Sequence, residues 1–156
     1  MFDKDTIFDS NTINCLNEIK YIVIWQVICA FSIILYGTFR CKNRWFKDPL
    51  MARVSNNKTI EGYTDGWAIS HVVFYMILGY LYPDRWMYMF LSGVAWEIIE
   101  SRFENKPFYL SSCKGREHEK WWYGRYEDII SNTIGMMIGI SLRKYKIKEQ
   151  LLMIIN

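Results

Sequence analysis

The run from Tyr21 to Phe39 carries one strongly polar side chain, Gln26. It is close to the roughly 20 apolar residues that a helix needs to cross a bilayer. A segment of that kind has nowhere to hide in a chain of 156 residues, where one domain or one small bundle is the whole molecule. Three further apolar stretches read as helices. Asp65 to Tyr82 starts at a cap residue, Thr64 or Asp65, and stops at the Pro83-Asp84 turn. Trp86 to Ser101 returns, and Tyr126 to Leu142 forms the fourth. The expected fold is all-α, an integral membrane bundle of about four transmembrane helices.

Composition agrees with that reading at one point and strains it at another. Aromatic residues make up 17% of the chain, with 7 Trp and 11 Tyr, a load suited to membrane-interface belts. The mean hydropathy of -0.04 is low for several spans, so the spans are expected to be short and the loops strongly charged. The net charge of +3 comes without a basic run interleaved with aromatics, and nucleic acid is not an expected partner. Cys15, Cys29, Cys41 and Cys113 show neither CxxC nor zinc spacing and read as free thiols. No signal peptide is visible, because an acidic segment precedes a late first apolar run. The expected divisions are a polar arm over 1–18, the bundle over 19–145 and a short basic and apolar tail over 146–156. The loops 40–58 and 102–125 hold six Lys or Arg each, the opposite side the other seven of the 19, which favours those loops as cytoplasmic although the basic tail dissents.

The polar residues inside the apolar helices carry the functional signal. Glu97 and Glu100 are three apart and share a helical face, and burying such a pair is costly unless a cation sits against it. In an up-and-down bundle, His71 near the start of the second helix, Glu97 and Glu100 near the end of the third, and Asp128 at the start of the fourth all fall at one depth. Asp128, Asn132, Gly135 and Gly139 share a face, and Gly135-x-x-x-Gly139 permits close helix contact. Two readings follow. In one, the three carboxylates give hard oxygen ligands to Ca²⁺ or a similar cation and His71 accepts a proton near neutral pH. In the other, the carboxylates pair with Arg102 and Arg125, and His71 only packs. Trp121 and Trp122 read as an interfacial anchor, and His118 as an exposed loop residue.

Asp65-Gly66-Trp67-Ala68-Ile69-Ser70-His71, Trp96-Glu97-Ile98-Ile99-Glu100, Glu119-Lys120-Trp121-Trp122-Tyr123, Asp128 and Asn132 before Gly135 follow one another in an order that resembles the base-exchange phosphatidylserine synthases. The likeness covers about residues 65–142. It departs in the loop before Glu119, where Arg116 stands in place of an Asn, at Tyr123 in place of an acidic residue, and at Asn132, which comes one residue early. The resemblance implies a membrane phospholipid head-group transferase making phosphatidylserine from another phospholipid and L-serine or a similar small alcohol. Ca²⁺ would lie on Glu97, Glu100 and Asp128, with His71 and Asp65 catalytic. Asn132, Glu119 and Arg125 would hold the head group. It further implies a multi-pass protein of an endoplasmic-reticulum-like membrane and leaves a homodimer open. The same segments resemble VanZ-like membrane proteins, whose Asp-x-x-x-Asn-x-x-Gly pattern Asp128, Asn132 and Gly135 fit without the slip; that likeness implies a lipid- or amphiphile-binding protein without this activity. They also resemble a small-membrane-protein family that carries a His helix and a W-E-x-x-E-like helix.

Overall fold

A computed structural model describes residues 10–43, 45–52, 65–103 and 124–155. Within them the chain is all-α, with four helices: α1 (Ser10–Lys42), α2 (Gly66–Leu81), α3 (Trp86–Phe103) and α4 (Tyr126–Ile155). Short 3₁₀ turns lie at Pro49–Met51 and Pro83–Arg85.

The first helix is longer than its apolar run, because Ser10 to Lys20 contains neither glycine nor proline to stop it. It takes in the second half of the segment expected to be a polar arm. At its other end Arg40 and Lys42 oppose the negative end of the helix dipole, and the Asn43 amide donates to the Phe39 carbonyl at 3.0 Å. The chain is then tied back on itself. Asp48 accepts from the Leu50 N–H at 2.9 Å, pairs with the buried Arg40 at 3.1 Å and accepts from the Tyr36 hydroxyl.

Asp65 caps α2 as expected, accepting from the Ala68 N–H at 2.8 Å. Pro83 follows one residue after Tyr82 and ends the helix, since it lacks an N–H and disfavours helical geometry before it. Along its length α2 packs against α4, and glycine decides how closely. A Cβ on Gly135 would run into the Val72 carbonyl, one on Gly139 into that of Met76, and one on Gly79 into that of Met136. The close contact expected of Gly135-x-x-x-Gly139 is therefore present. Ile22, Tyr75, Leu78, Met89, Met136 and Ile140 form the apolar core.

α4 does not stop at Leu142. Nothing after Gly139 breaks a helix, and Arg143 to Gln150 are mostly good helix formers, so the expected tail, through Ile155, is the last third of one 30-residue helix. Its Arg143 lies over the Tyr80 ring, 5.6 Å from the centroid.

Of the four spans expected, one helix among the described residues, α1, is long and apolar enough to cross a membrane. α2 is apolar but shorter, at 16 residues. The carboxylates of α3, and the acidic start and basic second half of α4, interrupt any long apolar window in those helices. The free-thiol expectation holds for Cys15 and Cys29 but not for Cys41, which is disulfide-bonded; Cys113 lies outside the described residues.

The distribution of side chains is inverted relative to a protein that meets water on all sides. Arg40, Glu97, Glu100, Asp128, Ser131 and Asn132 are buried, whereas Phe31, Leu35, Ile77, Leu91, Ile134 and Met137 are exposed.

Candidate metal centre

Three helices deliver one residue each to a common point. His71 sits in the second turn of α2, Glu97 in the second half of α3 and Asp128 in the first turn of α4. One ligand atom from each lies within 4.8 Å of the others. Both carboxylates are 4% exposed. The depth argued from spacing therefore corresponds to a real convergence, for three of the four residues it singled out. Glu100 is buried too but stands outside this group, whose third member is His71. Three residues along a helix means a rotation of about 60° between side chains, which separates Glu100 from the direction Glu97 takes.

The surroundings hold these groups in position. Glu97 accepts from the Arg125 backbone N–H at 3.1 Å, which joins α3 to the residue opening α4. Gly124 makes that approach feasible, because a Cβ there would collide with the backbone of Glu97 and Ser101. Sequence reasoning passed over Gly124; its position directly before Arg125 was the available signal. The Arg125 guanidinium bonds Asp65 at 2.8 Å and lies 3.9 Å from Glu127. Asp65 and Arg125, expected at the site as catalytic and head-group-binding residues, thus meet as a brace between the start of α2 and the start of α4. Asp128 also benefits from the positive end of the α4 dipole.

His71 Nδ1 lies 2.8 Å from Asn132 Oδ1. An amide oxygen can only accept, so Nδ1–H is the donor in this contact. Asn132, expected near the head group, acts on the imidazole. Glu119, Trp121, Trp122 and His118 lie outside the described residues.

The donors are not used up. Among the described residues, Glu97 Oε1 and Asp128 Oδ1 are buried without a hydrogen-bond partner. An unpaired carboxylate oxygen away from water is costly, and two neighbouring buried carboxylates are relieved either by a cation or by a proton on one of them. Ligand oxygens sit about 2.3–2.6 Å from Ca²⁺, so atoms within 4.8 Å of one another can share one ion. The set could coordinate a divalent metal: the oxygens suit hard ions, and the imidazole widens the choice to borderline ones.

His71 also faces a cleft of about 450 Å³ between α1 and the α2–α3 side of the bundle, a volume within the usual range of ligand pockets. The site thus joins a charged, water-seeking cluster to an apolar hollow. No family model, curated protein or solved structure matches this chain.

Proposed function

We propose that the protein is a membrane-embedded phospholipid head-group transferase of the base-exchange kind, producing phosphatidylserine from another phospholipid and serine. The observation that carries the reading is the pair of buried oxygens without a partner among the described residues, Glu97 Oε1 and Asp128 Oδ1, beside an imidazole that Asn132 holds through Nδ1. The inverted burial pattern supports a lipid setting: intramembrane ionisable groups face the bundle interior and mark functional sites.

Glu97 and Asp128 would hold the cation, Ca²⁺ by the resemblance, and His71, the third member of the cluster, would be left off the ion to act as base. A bound divalent ion polarises a phosphodiester and offsets charge that builds on its oxygens. His71 Nε2 takes the proton of the serine hydroxyl as that oxygen bonds to phosphorus. The same proton then goes to the oxygen of the departing head group, so the exchange is balanced and the imidazole ends as it began. Asn132 keeps the ring in the tautomer that can do this.

Purified protein in phospholipid vesicles, given labelled serine and Ca²⁺, should form labelled phosphatidylserine, and His71→Ala should abolish the product while the helical content stays unchanged. Product from the variant at the wild-type rate would remove His71 from the mechanism. Vesicle binding without any product would favour the VanZ-like reading, which the spacing Asp128, Asn132, Gly135 fits without a slip.

A further inference from the structure

The two ends of the bundle differ in chemistry. The close of α1 belongs to the end that holds the metal centre. There Tyr36 meets Trp67 edge-on, with ring centroids 5.7 Å apart, the Leu50 backbone abuts Gly66, and Asp65 pairs with Arg125 at 2.8 Å. Cys41 stands at this end, buried and disulfide-bonded. At the other end Glu18 of α1 pairs with Arg85, in the turn between α2 and α3, at 2.7 Å, and Arg143 of α4 lies over Tyr80 near the end of α2. From Glu18 to Cys41 the helix rises about 35 Å, more than the roughly 30 Å of a hydrocarbon core. The exposed Val27, Phe31 and Leu35 lie between them. A bilayer crossed by α1 therefore has the two ends in different compartments.

Each end carries a mark of its compartment. A disulfide persists where the surroundings are oxidising, whereas cytosolic thiols are kept reduced. The cysteines of α1 follow that division: Cys15, before Glu18, and Cys29, within the span, are free, and Cys41 is bonded. The opposite end carries positive charge. Beyond Ile140, the last buried position of α4 among the described residues, come Arg143, Lys144, Lys146 and Lys148 against one acid, Glu149, and the three lysines are exposed. They rise about 4 to 12 Å past Ile140, within reach of an anionic leaflet surface. Basic residues next to a span are retained on the cytoplasmic side. The count that favours 40–58 and 102–125 as cytoplasmic is a bias, while a bond that a reducing compartment would break is a stricter condition. Two of the counted cations, Arg40 and Arg125, are moreover offset by Asp48 and Asp65.

We infer that the metal centre opens on the oxidising side of the membrane, while the basic stretch of α4 lies against anionic headgroups of the cytoplasmic leaflet. The lipid that meets His71 then belongs to the oxidising-side leaflet, and the accepting alcohol reaches the site from that compartment. The orientation rests on α1 as a span; the statement about lipid and alcohol rests in addition on the transferase reading.

The test uses the full-length protein inserted during synthesis into sealed microsomes, whose outer face is the cytosolic one. Wild-type chains denatured in an alkylating agent without reductant should be modified at Cys15 and Cys29 and unmodified at Cys41. In a Cys15→Ser, Cys29→Ser background, two exposed lysines report the faces: Lys47→Cys at the metal-centre end and, separately, Lys148→Cys in α4. A membrane-impermeant maleimide should label Lys148→Cys in intact microsomes and Lys47→Cys only after detergent. Alkylation of Cys41 in the wild type, labelling of Lys47→Cys before detergent, or one response shared by both reporters would each overturn the inference. Labelled serine added outside should yield phosphatidylserine only once a pore-forming peptide admits it to the lumen. Product without the pore would put the site on the cytosolic side and overturn the inference as well. Labels in the expected pattern with no product under either condition would leave the orientation standing and sink the transferase reading instead.

Discussion

Replacing Asn132 with alanine separates positioning from folding. Asn132 is 5% exposed and accepts from His71 Nδ1 at 2.8 Å, so the variant deletes the contact that fixes the imidazole. A hydrogen bond of this kind contributes about 0.5–1.5 kcal/mol net, and leaving the buried N–H without a partner costs about 1–3 kcal/mol. In the free ring that cost is avoided by moving the proton to Nε2, which removes the lone pair the reaction needs. Partners that orient a functional histidine typically matter about 10–100-fold, and 1.36 kcal/mol is one factor of ten in rate. Serine exchange should therefore fall by about 10–100-fold in kcat, with little change in KM for the lipid. Stability should respond differently. Among the described residues Asn132 Nδ2 is itself a buried donor without a partner, so its removal offsets part of the lost bond. The net change should be below about 1 kcal/mol, or about 2–4 °C in Tm for a chain of this size. Nitrogen NMR of His71 should show the Nδ1–H tautomer in the wild type and a mixture in the variant. An unchanged rate, or a rate lost together with a collapse of the melting transition, would refute the positioning role.

Calorimetric titration with Ca²⁺ should lose its signal in Glu97→Gln and in Asp128→Asn, and retain it in Glu100→Gln; loss in the last would restore Glu100 to the ligand set. Stripping divalent ions with a chelator should halt serine exchange and leave helical circular dichroism unchanged, with activity returning on readdition of Ca²⁺. Gly139→Leu should destabilise the protein by about 3 kcal/mol or more, because the side chain would meet the Met76 carbonyl and overpacking against backbone cannot be relieved by rotamer changes; the denaturation midpoint measures it. Asp65→Ala should cost about 1–2 kcal/mol through its cap and free the Arg125 side chain from its 2.8 Å pairing, visible as faster amide exchange at the start of α2.

What could be read from the chain was what depends on short-range periodicity and chemistry. Asp65 stands where an N-cap must stand. The glycines at 135 and 139 repeat at the spacing that lets backbones touch. His71, Glu97 and Asp128 share a depth because alternating helices of known rise put them there. What could not be read was rotation and tertiary partnership. Depth says nothing about the azimuth of Glu100. The knot of Tyr36, Arg40 and Asp48 links residues with no motif between them. The length of α4 was hidden because its second half changes from apolar to basic, and a change in polarity resembles a boundary even where propensity continues the helix.

The glycine contacts between α2 and α4 bear on how this molecule can move. Helices separated by side chains can slide, since rotamers deform; helices whose backbones abut have no such lubricant. His71 and Asn132 belong to these two helices and are thus locked in register like teeth of a closed zip. No glycine-lined seam of this kind holds α1, which is fixed through Ile22 in the core and through polar contacts such as Arg85 with Glu18 at 2.7 Å. The side chains that set the imidazole thus sit on the least deformable seam among the described residues.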